Sequence, residues 1–201
     1  MLRVHGDKVI RRRTNYKKQN NIQAYSSILE EDFHNMCGYC GKELDIIPCP
    51  SQKDHLIPKH EAKKRGRNDL LTSYENLVFT CRVCNRKKWN NWPLDTIEQL
   101  NDGEKGFVDP ASEEFDQHLA RNEKGEIVSL SKVGQYMYSI FDFENRLTDV
   151  WWKISQIEKL INEIDQMIEE DESLENLRKY RMLHKEYKRF INLLKEKKEM
   201  I

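Results

Sequence analysis

The 201-residue sequence has no long apolar run, and only 38% of its residues are hydrophobic. No stretch approaches the roughly 18 consecutive apolar residues that a membrane-spanning helix needs. The first residues include a basic run, but no apolar segment follows it, so they do not have the pattern of a secretory signal. We therefore expect a cytoplasmic protein that makes no contact with a membrane.

The chain has five cysteines, and their spacing argues against disulfides. Four of the five cysteines form two C-x-x-C pairs, Cys37 with Cys40 and Cys81 with Cys84. A reducing cytosol favours metal binding over disulfides for such pairs, and four thiolates complete a closed tetrahedral zinc site. The sequence predicts a structural Zn²⁺, against the competing interpretation of four ordinary buried cysteines. Cys49 lies outside both pairs, and we expect it to be a packing residue.

The formal net charge is zero, but the charges are unevenly distributed along the chain. Seven basic residues and one acidic residue lie within 1–20, and ten basic and four acidic residues lie within 53–88. Residues 98–126 hold nine acidic and three basic side chains. Because the local field matters more than the total charge for an approach to phosphates, we expect a basic face and an acidic face.

Changes in pattern divide the chain into four segments. We predict a basic N-terminal arm and helix (1–36), a chemically dense core (37–92), an irregular accessory lobe (93–148) and a helical hairpin (149–201). The hairpin prediction rests on apolar residues that step by three and four positions from Val150 onward, which is typical of two antiparallel helices. Its two tryptophans, at 151 and 152, are expected either to anchor it to the body or to serve a partner chain.

Shorter elements are expected within these segments. Helical spacing of apolar residues predicts a helix over 24–33, and the run that begins at Arg82 suits a second helix. Short apolar runs predict strands at 46–48, 55–58 and 76–79. The polar, basic segment 59–75 is expected to be an exposed and mobile loop.

Residues between and beside the cysteine pairs resemble a known family. The stretch DHLIPKH (54–60) and the later ENLVFTCRVCNRKK (75–88) are similar to HNH nucleases with a zinc-binding treble clef, over about residues 33–92. The resemblance implies an α+β fold with a ββα-metal (treble-clef) core. It also implies a metal-dependent endonuclease that hydrolyses DNA phosphodiester bonds.

The resemblance assigns roles to individual residues. His55 falls on the general base that takes a proton from the attacking water, and an imidazole suits this because its pKa lies near neutrality. Asp54 and Asn85 match the ligands of a catalytic Mg²⁺ or Mn²⁺, and Asn76 matches a residue that orients the loop or the histidine. Two further residues, Arg86 and Lys88, are expected to contact DNA phosphates.

The segment FVDPASEEFDQHLARNEKGEI (107–127) resembles bacterial HNH proteins that act in defence or restriction, including the nuclease of a Septu-type pair. This similarity implies an antiviral effector that works with an ATPase or another subunit, and the hairpin makes a homo-oligomer plausible. The rival interpretation is a catalytically silent, zinc-stabilised module that binds nucleic acid or protein. A homing or intron-associated nuclease ranks lower, because we find no helix-turn-helix or repeat.

Overall fold

The computed structural model describes residues 1–46 and 50–197, which include five strands and seven α-helices. The strands are β1 (Leu2–Arg3), β2 (Ser51–His55), β3 (Leu77–Cys81), β4 (Leu119–Arg121) and β5 (Ile127–Ser129). The helices are α1 (Ser26–Asp32), α2 (Lys59–Lys64), α3 (Arg82–Lys88), α4 (Phe115–His118), α5 (Lys132–Ile140), α6 (Thr148–Glu170) and α7 (Leu174–Glu196). Residues 47 and 48 of the strand expected at 46–48 lie outside the described ranges, and so does Cys49, for which a packing role is expected.

The centre of the molecule is an antiparallel pair of strands followed by a helix. β2 pairs with β3 so that Ser51 lies opposite Cys81 and His55 lies opposite Leu77. All five residues of β3 are buried, as the apolar run at 76–79 predicts, and α3 begins directly after it. The strand expected at 55–58 lies earlier in the chain, because pairing ends at His55 and Pro58 caps α2. This β2-β3-α3 unit carries Asp54, His55, Asn85 and the second cysteine pair.

The segment 59–75 contains helical structure, which corrects the expectation of a loop without secondary structure. It contains α2 and two 3₁₀ turns, Asn68–Leu71 and Tyr74–Asn76. Ala62 is fully buried, and Glu61 lies 3.1 Å from the guanidinium of Arg65 one helical turn later. The segment 59–75 has a polar composition because one face of its short helix meets solvent, while the other face packs against the body.

The lobe after the core forms a second sheet, of order β1-β4-β5, which joins the N-terminus to residues more than a hundred positions away. A single hydrophobic cluster runs from Val4 to Phe143 and includes Cys37, Cys84 and Met137. The N-terminal segment, the cysteine pairs and the lobe therefore share one core.

Basic residues of the N-terminal arm are held in ion pairs with the body. Arg12 Nη1 lies 2.5 Å from Asp109 Oδ2 and its Nη2 donates to the Leu77 carbonyl, while Arg13 Nη2 lies 2.6 Å from Asp32 Oδ1. These ion pairs thus hold the arm against α1 and the lobe.

The C-terminal hairpin docks on this body through its first turns. Val150, Trp151 and Ile154 from the start of α6 cluster with Leu194 from the end of α7, so the two 23-residue helices run antiparallel. The Lys42 ammonium lies 3.4 Å from the centroid of the Trp151 ring. Trp151 thus anchors the hairpin to the body. No helix in the described part of the chain combines the length and apolarity needed to cross a bilayer.

Arg121 is the buried polar link between arm, core and hairpin, and its removal should be costly. Its guanidinium donates to the carbonyls of Val4 (2.9 Å), Cys40 (2.7 Å) and Gly125 (2.6 Å). Each buried carbonyl left without a donor costs about 1–3 kcal/mol, so Arg121→Ala should lower the free energy of unfolding by at least about 3 kcal/mol. Urea unfolding at fixed zinc concentration measures this change. Arg189→Ala, at a side chain that is 66% exposed, should change it by less than about 0.5 kcal/mol.

Candidate metal centre and catalytic cleft

The four cysteines of the two C-x-x-C pairs meet at one point. All four are buried, and their sulfur atoms lie within 4.8 Å of one another, with 3.9 Å between Cys40 Sγ and Cys81 Sγ. Four sulfurs at zinc–thiolate bond length from one ion are about 3.8 Å apart, as a tetrahedron requires. The cluster could therefore hold one zinc ion with no position left for substrate.

A tight turn aims the first cysteine pair. The Cys37 amide donates to the Lys42 carbonyl at 2.9 Å, and the Gly41 amide donates to the Cys37 carbonyl at 2.8 Å. Gly41 has a φ of +66°, and a Cβ at this position would lie 2.3 Å from the Val4 carbonyl oxygen. Glycine is needed here both for the backbone conformation and for the close approach of the N-terminal arm.

The second pair sits where β3 becomes α3. Cys81 caps the helix, because its sulfur accepts a hydrogen bond from the Cys84 amide at 3.4 Å. The Gly38 amide donates to the Phe79 carbonyl at 2.8 Å, which ties the first turn to this strand. The helix cap and the strand contact thus bring together sulfurs that are more than forty residues apart in sequence.

Residues distant in sequence surround the cluster, and sequence reasoning does not find them. Arg146 Nη1 donates to Cys84 Sγ at 3.2 Å, and the buried His5 ring nitrogen Nε2 bonds the Gly38 carbonyl at 2.8 Å. Burial lowers the pKa of His5 to about 4, so it stays neutral. Without a metal, burial also raises the pKa of Cys37 and Cys84 well above the ordinary thiol value. A bound cation would offset this desolvation cost and allow the thiolates to form.

His55 ends β2 at the edge of an open cleft of about 640 Å³ that is also lined by Asp54, Asn85, Arg82, Arg86 and Trp89. The His55 side chain is largely buried, and its Nε2 lies 2.9 Å from the Leu71 carbonyl oxygen. A carbonyl only accepts hydrogen bonds, so this contact places the ring proton on Nε2 and leaves Nδ1 with a lone pair. Burial, with a contribution from Lys59, lowers the pKa of His55 below 6.5. The imidazole is therefore a neutral proton acceptor at pH 7.

Asn76 is buried and spans the base of the segment that holds His55. Its side chain accepts from the Ile57 amide at 2.8 Å and donates to the carbonyls of Ile57 and Leu70 at 3.1 and 3.0 Å. Leu71, whose carbonyl oxygen contacts His55, directly follows Leu70 in the chain. Asn76 therefore holds together the two backbone segments on either side of His55 and does not line the cleft.

Asp54 lies beside His55 in a polar cluster. Its Oδ2 accepts from the Tyr39 hydroxyl at 2.7 Å and lies 3.1 Å from Lys88 Nζ. Within the described ranges its Oδ1 accepts no hydrogen bond. One carboxylate oxygen is thus fixed by the protein, and the other remains available to a cation.

Lys88 is fully buried and donates to the His55 carbonyl at 2.7 Å in addition to its contact with Asp54. Burial lowers its pKa, and the Asp54 charge partly restores it. A phosphate at the surface does not reach this ammonium, so the DNA contact expected of Lys88 does not fit its placement. The residue instead cross-links α3 to the end of β2.

Asn85 faces the cleft from α3 and is half-buried. Its Nδ2 donates to Gln52 Oε1 at 2.6 Å, which leaves Asn85 Oδ1 without a hydrogen-bond partner in the described part of the chain. Gln52 and Asp54 are two residues apart on β2 and so share the strand face that meets α3. The free oxygens of Asp54 and Asn85 are hard ligands of the kind that Mg²⁺ and Mn²⁺ take, so these residues fit a divalent cation.

Exposed cations line the same cleft. Lys59, Arg82 and Arg86 are exposed and make no ion pair with the described residues, whereas Lys87 lies 2.6 Å from Asp142. Unpaired cations around a cleft favour an anionic ligand. Arg86, for which the sequence predicts a contact with DNA phosphates, lines the cleft together with Lys59 and Arg82.

The structure brings His55, Asp54 and Asn85 together in one cleft, sets Asn76 behind them and encloses Lys88. Gln52, the Leu71 carbonyl and Arg146 complete these arrangements, and no motif singles them out. His60 contacts Glu61 at 3.1 Å and does not line the cleft.

One family model matches this region. Residues 37–91, little more than a quarter of the chain, match the model of the HNH endonuclease domain. The match spans both cysteine pairs and all of β2, β3 and α3. Neither the curated proteins nor the solved structures give a match to the chain.

Loss of one thiolate should remove the metal and the fold together. In Cys84→Ser we expect less than one zinc per chain and no cooperative unfolding transition. The reason is that structural zinc contributes about 10–16 kcal/mol, which exceeds the stability of most domains. Zinc analysis and circular dichroism measure both effects. Cys49→Ser, outside both pairs, should retain zinc, and full zinc content in Cys84→Ser would contradict a four-cysteine site.

Proposed function

We propose that this protein is a metal-dependent endonuclease that hydrolyses DNA phosphodiester bonds with His55 as the general base. One observation carries the proposal: the neutral, oriented imidazole of His55 shares an open basic cleft with the free oxygens of Asp54 and Asn85. The family match over residues 37–91 supports the same activity.

His55 Nδ1 accepts a proton from water as the water oxygen attacks phosphorus. The new phosphorus–oxygen bond forms while the bond to the 3′-oxygen breaks, and the leaving 3′-oxygen takes a proton from solvent. The products therefore carry a 5′-phosphate and a 3′-hydroxyl. The Leu71 carbonyl holds the ring in place and stabilises the imidazolium that forms, because it accepts a hydrogen bond from Nε2–H. Asn76 contributes by fixing the backbone that carries Leu71.

Asp54 and Asn85 would hold the Mg²⁺ or Mn²⁺ ion, which when bound supplies stabilisation of the charge that develops on phosphate and leaving oxygens. Gln52 orients the Asn85 amide so that its oxygen faces the cleft. Lys88 holds the Asp54 carboxylate against α3 through their 3.1 Å contact. Arg86, together with Arg82 and Lys59, binds the DNA backbone at the mouth of the cleft.

The proposal includes a biological setting of antiviral defence or restriction, with an ATPase or similar subunit that licenses cleavage. Its support is the resemblance of residues 107–127 to bacterial defence proteins. One site cuts one strand at a time, so double-strand breaks would require a homo-oligomer or two successive nicks. Cleavage that accelerates when a co-purifying ATPase is added back would support this setting, and equal cleavage without it would contradict the licensing role.

A catalytically silent module that binds nucleic acid or protein is the second candidate, and one observation favours it. Lys88 Nζ lies 3.1 Å from Asp54, so a fixed cation already neutralises the carboxylate that would hold the metal. Such a module would bind DNA without cutting it in Mg²⁺ or Mn²⁺. Wild-type plasmid cleavage therefore discriminates the two candidates.

The first prediction from this site concerns His55. His55→Ala should slow nicking of supercoiled plasmid by about a hundred- to ten-thousandfold, which is the usual contribution of a general base. Gel separation of supercoiled, nicked and linear plasmid in Mg²⁺ and in Mn²⁺ measures the rate, with zinc content checked in each protein.

The matched control is His60→Ala, because His60 lies five residues away and is 45% exposed outside the cleft. It should cut at the wild-type rate. Equal loss in both variants would indicate damage to α2, and full activity of His55→Ala would remove His55 from the mechanism.

The second prediction is the pH dependence of cleavage. The reaction needs neutral His55, whose fraction rises with pH through its pKa, and burial lowers that pKa below 6.5. The rate constant kcat/KM should therefore rise to a plateau with a midpoint below pH 6.5. Lys59→Met should move the midpoint upward, because the Lys59 charge helps to lower the pKa of His55. A wild-type midpoint above 6.5 would contradict this base.

A further inference from the structure

Trp89 follows α3 directly and stands at the rim of the cleft with its side chain 71% exposed. The same cleft is lined by His55, Asn85 and Arg86. Within the described ranges the indole makes no aromatic or cation–π contact, whereas the nearby Trp92 stacks on Phe107. A large aromatic surface thus remains in water beside the proposed reaction centre.

The backbone of Trp89 is also strained. Its φ is +46° and its ψ is −128°, a region that suits glycine and that a residue with a bulky side chain rarely adopts. The Trp89 amide donates to the Asn85 carbonyl at 2.9 Å, and the Asn91 side chain donates to the Lys88 carbonyl at 2.9 Å. Backbone and Asn91 contacts thus terminate the helix, and none of them uses the indole.

Neither packing nor helix termination accounts for a tryptophan at this position. Strain that the surrounding structure maintains is a recurrent property of functional sites. Lys59, Arg82 and Arg86 line the cleft and have no carboxylate partner within the described ranges, which favours an anionic ligand. Cations that contact phosphates beside an aromatic plane are the pattern by which proteins bind unpaired nucleotides.

We propose that the indole of Trp89 stacks on an unpaired base next to the scissile phosphate, so that the cleft takes single-stranded or locally opened DNA. This inference rests on the proposed nuclease function and names its substrate class. In a duplex, each base already stacks on its neighbours and offers no free face. Side chains that wedge into an intact minor groove are usually Phe, Leu, Ile, Met or Pro, so tryptophan favours stacking over insertion.

The test measures binding in the His55→Ala background, where cleavage does not interfere. Fluorescence anisotropy gives the Kd for oligo(dT) of about 12 nucleotides, for an abasic oligomer of equal length and charge, and for a duplex. Adding Trp89→Ala should weaken oligo(dT) binding about ten- to a hundredfold and leave binding of the abasic oligomer unchanged, because only stacking is lost. Met182→Ala, which removes a side chain that is 68% exposed on α7, should change neither.

Three results would overturn the proposal: equal weakening for both oligomers, no weakening, or the largest loss on the duplex, which would indicate groove insertion. These outcomes are independent of the proposed function, which wild-type cleavage in Mg²⁺ or Mn²⁺ tests separately. If the protein binds oligo(dT) through Trp89 but does not cleave DNA, the nuclease proposal is overturned and the stacking proposal is retained.

A second variant separates stacking from a structural role. Trp89→Gly relieves the positive-φ strain, so it should unfold at a higher urea concentration than the wild type while binding oligo(dT) as weakly as Trp89→Ala. Stability and affinity would then change in opposite directions. A fall in both would show that the indole supports the fold, and would overturn the proposal.

Discussion

The four-sulfur cluster is the contact on which the geometry of the cleft depends. It joins the turn at 37–40 to the junction between β3 and α3. Because β3 pairs with β2, and α3 lies against β2 through Asn85 and Lys88, this junction sets the position of the helix relative to His55. The paired strands β2 and β3 and the seven-residue helix α3 bury too few apolar residues among themselves to hold such a geometry.

Around this junction the polar residues divide into two groups. Buried groups hold the residues of the cleft in place: Asn76 holds the backbone beside His55, and Lys88 bridges Asp54 to the end of β2. Burial of the Lys88 ammonium is tolerated because a carboxylate and a carbonyl accept its protons. Exposed groups, including Arg86 and Trp89, face the cleft with few partners. The site thus combines a preorganised interior with a rim available to a ligand.

Residues from other parts of the chain surround the four-cysteine cluster. The N-terminal arm reaches it through His5, and the lobe reaches it through Arg121 and Arg146. Arg146 donates to a cysteine sulfur, and its positive charge would partly balance the net negative charge of four thiolates and one Zn²⁺. The hairpin then covers this side of the body through Trp151. The arm and the lobe therefore both contribute contacts to the surroundings of the four-cysteine cluster.

Features that depend on neighbours along the chain can be predicted from the sequence. The C-x-x-C spacings predict the two turns that group their sulfurs, the adjacent Asp54 and His55 share one strand end, and the heptad-like steps after Val150 predict the paired helices. Three other features follow from the packing of distant elements: Lys88 is buried, the Leu71 carbonyl selects the tautomer of His55, and Trp89 is strained and exposed. The reason is physical: local spacing sets which way a side chain points on a strand or helix. Whether that direction leads to solvent or to a partner dozens of residues away depends on how the elements pack.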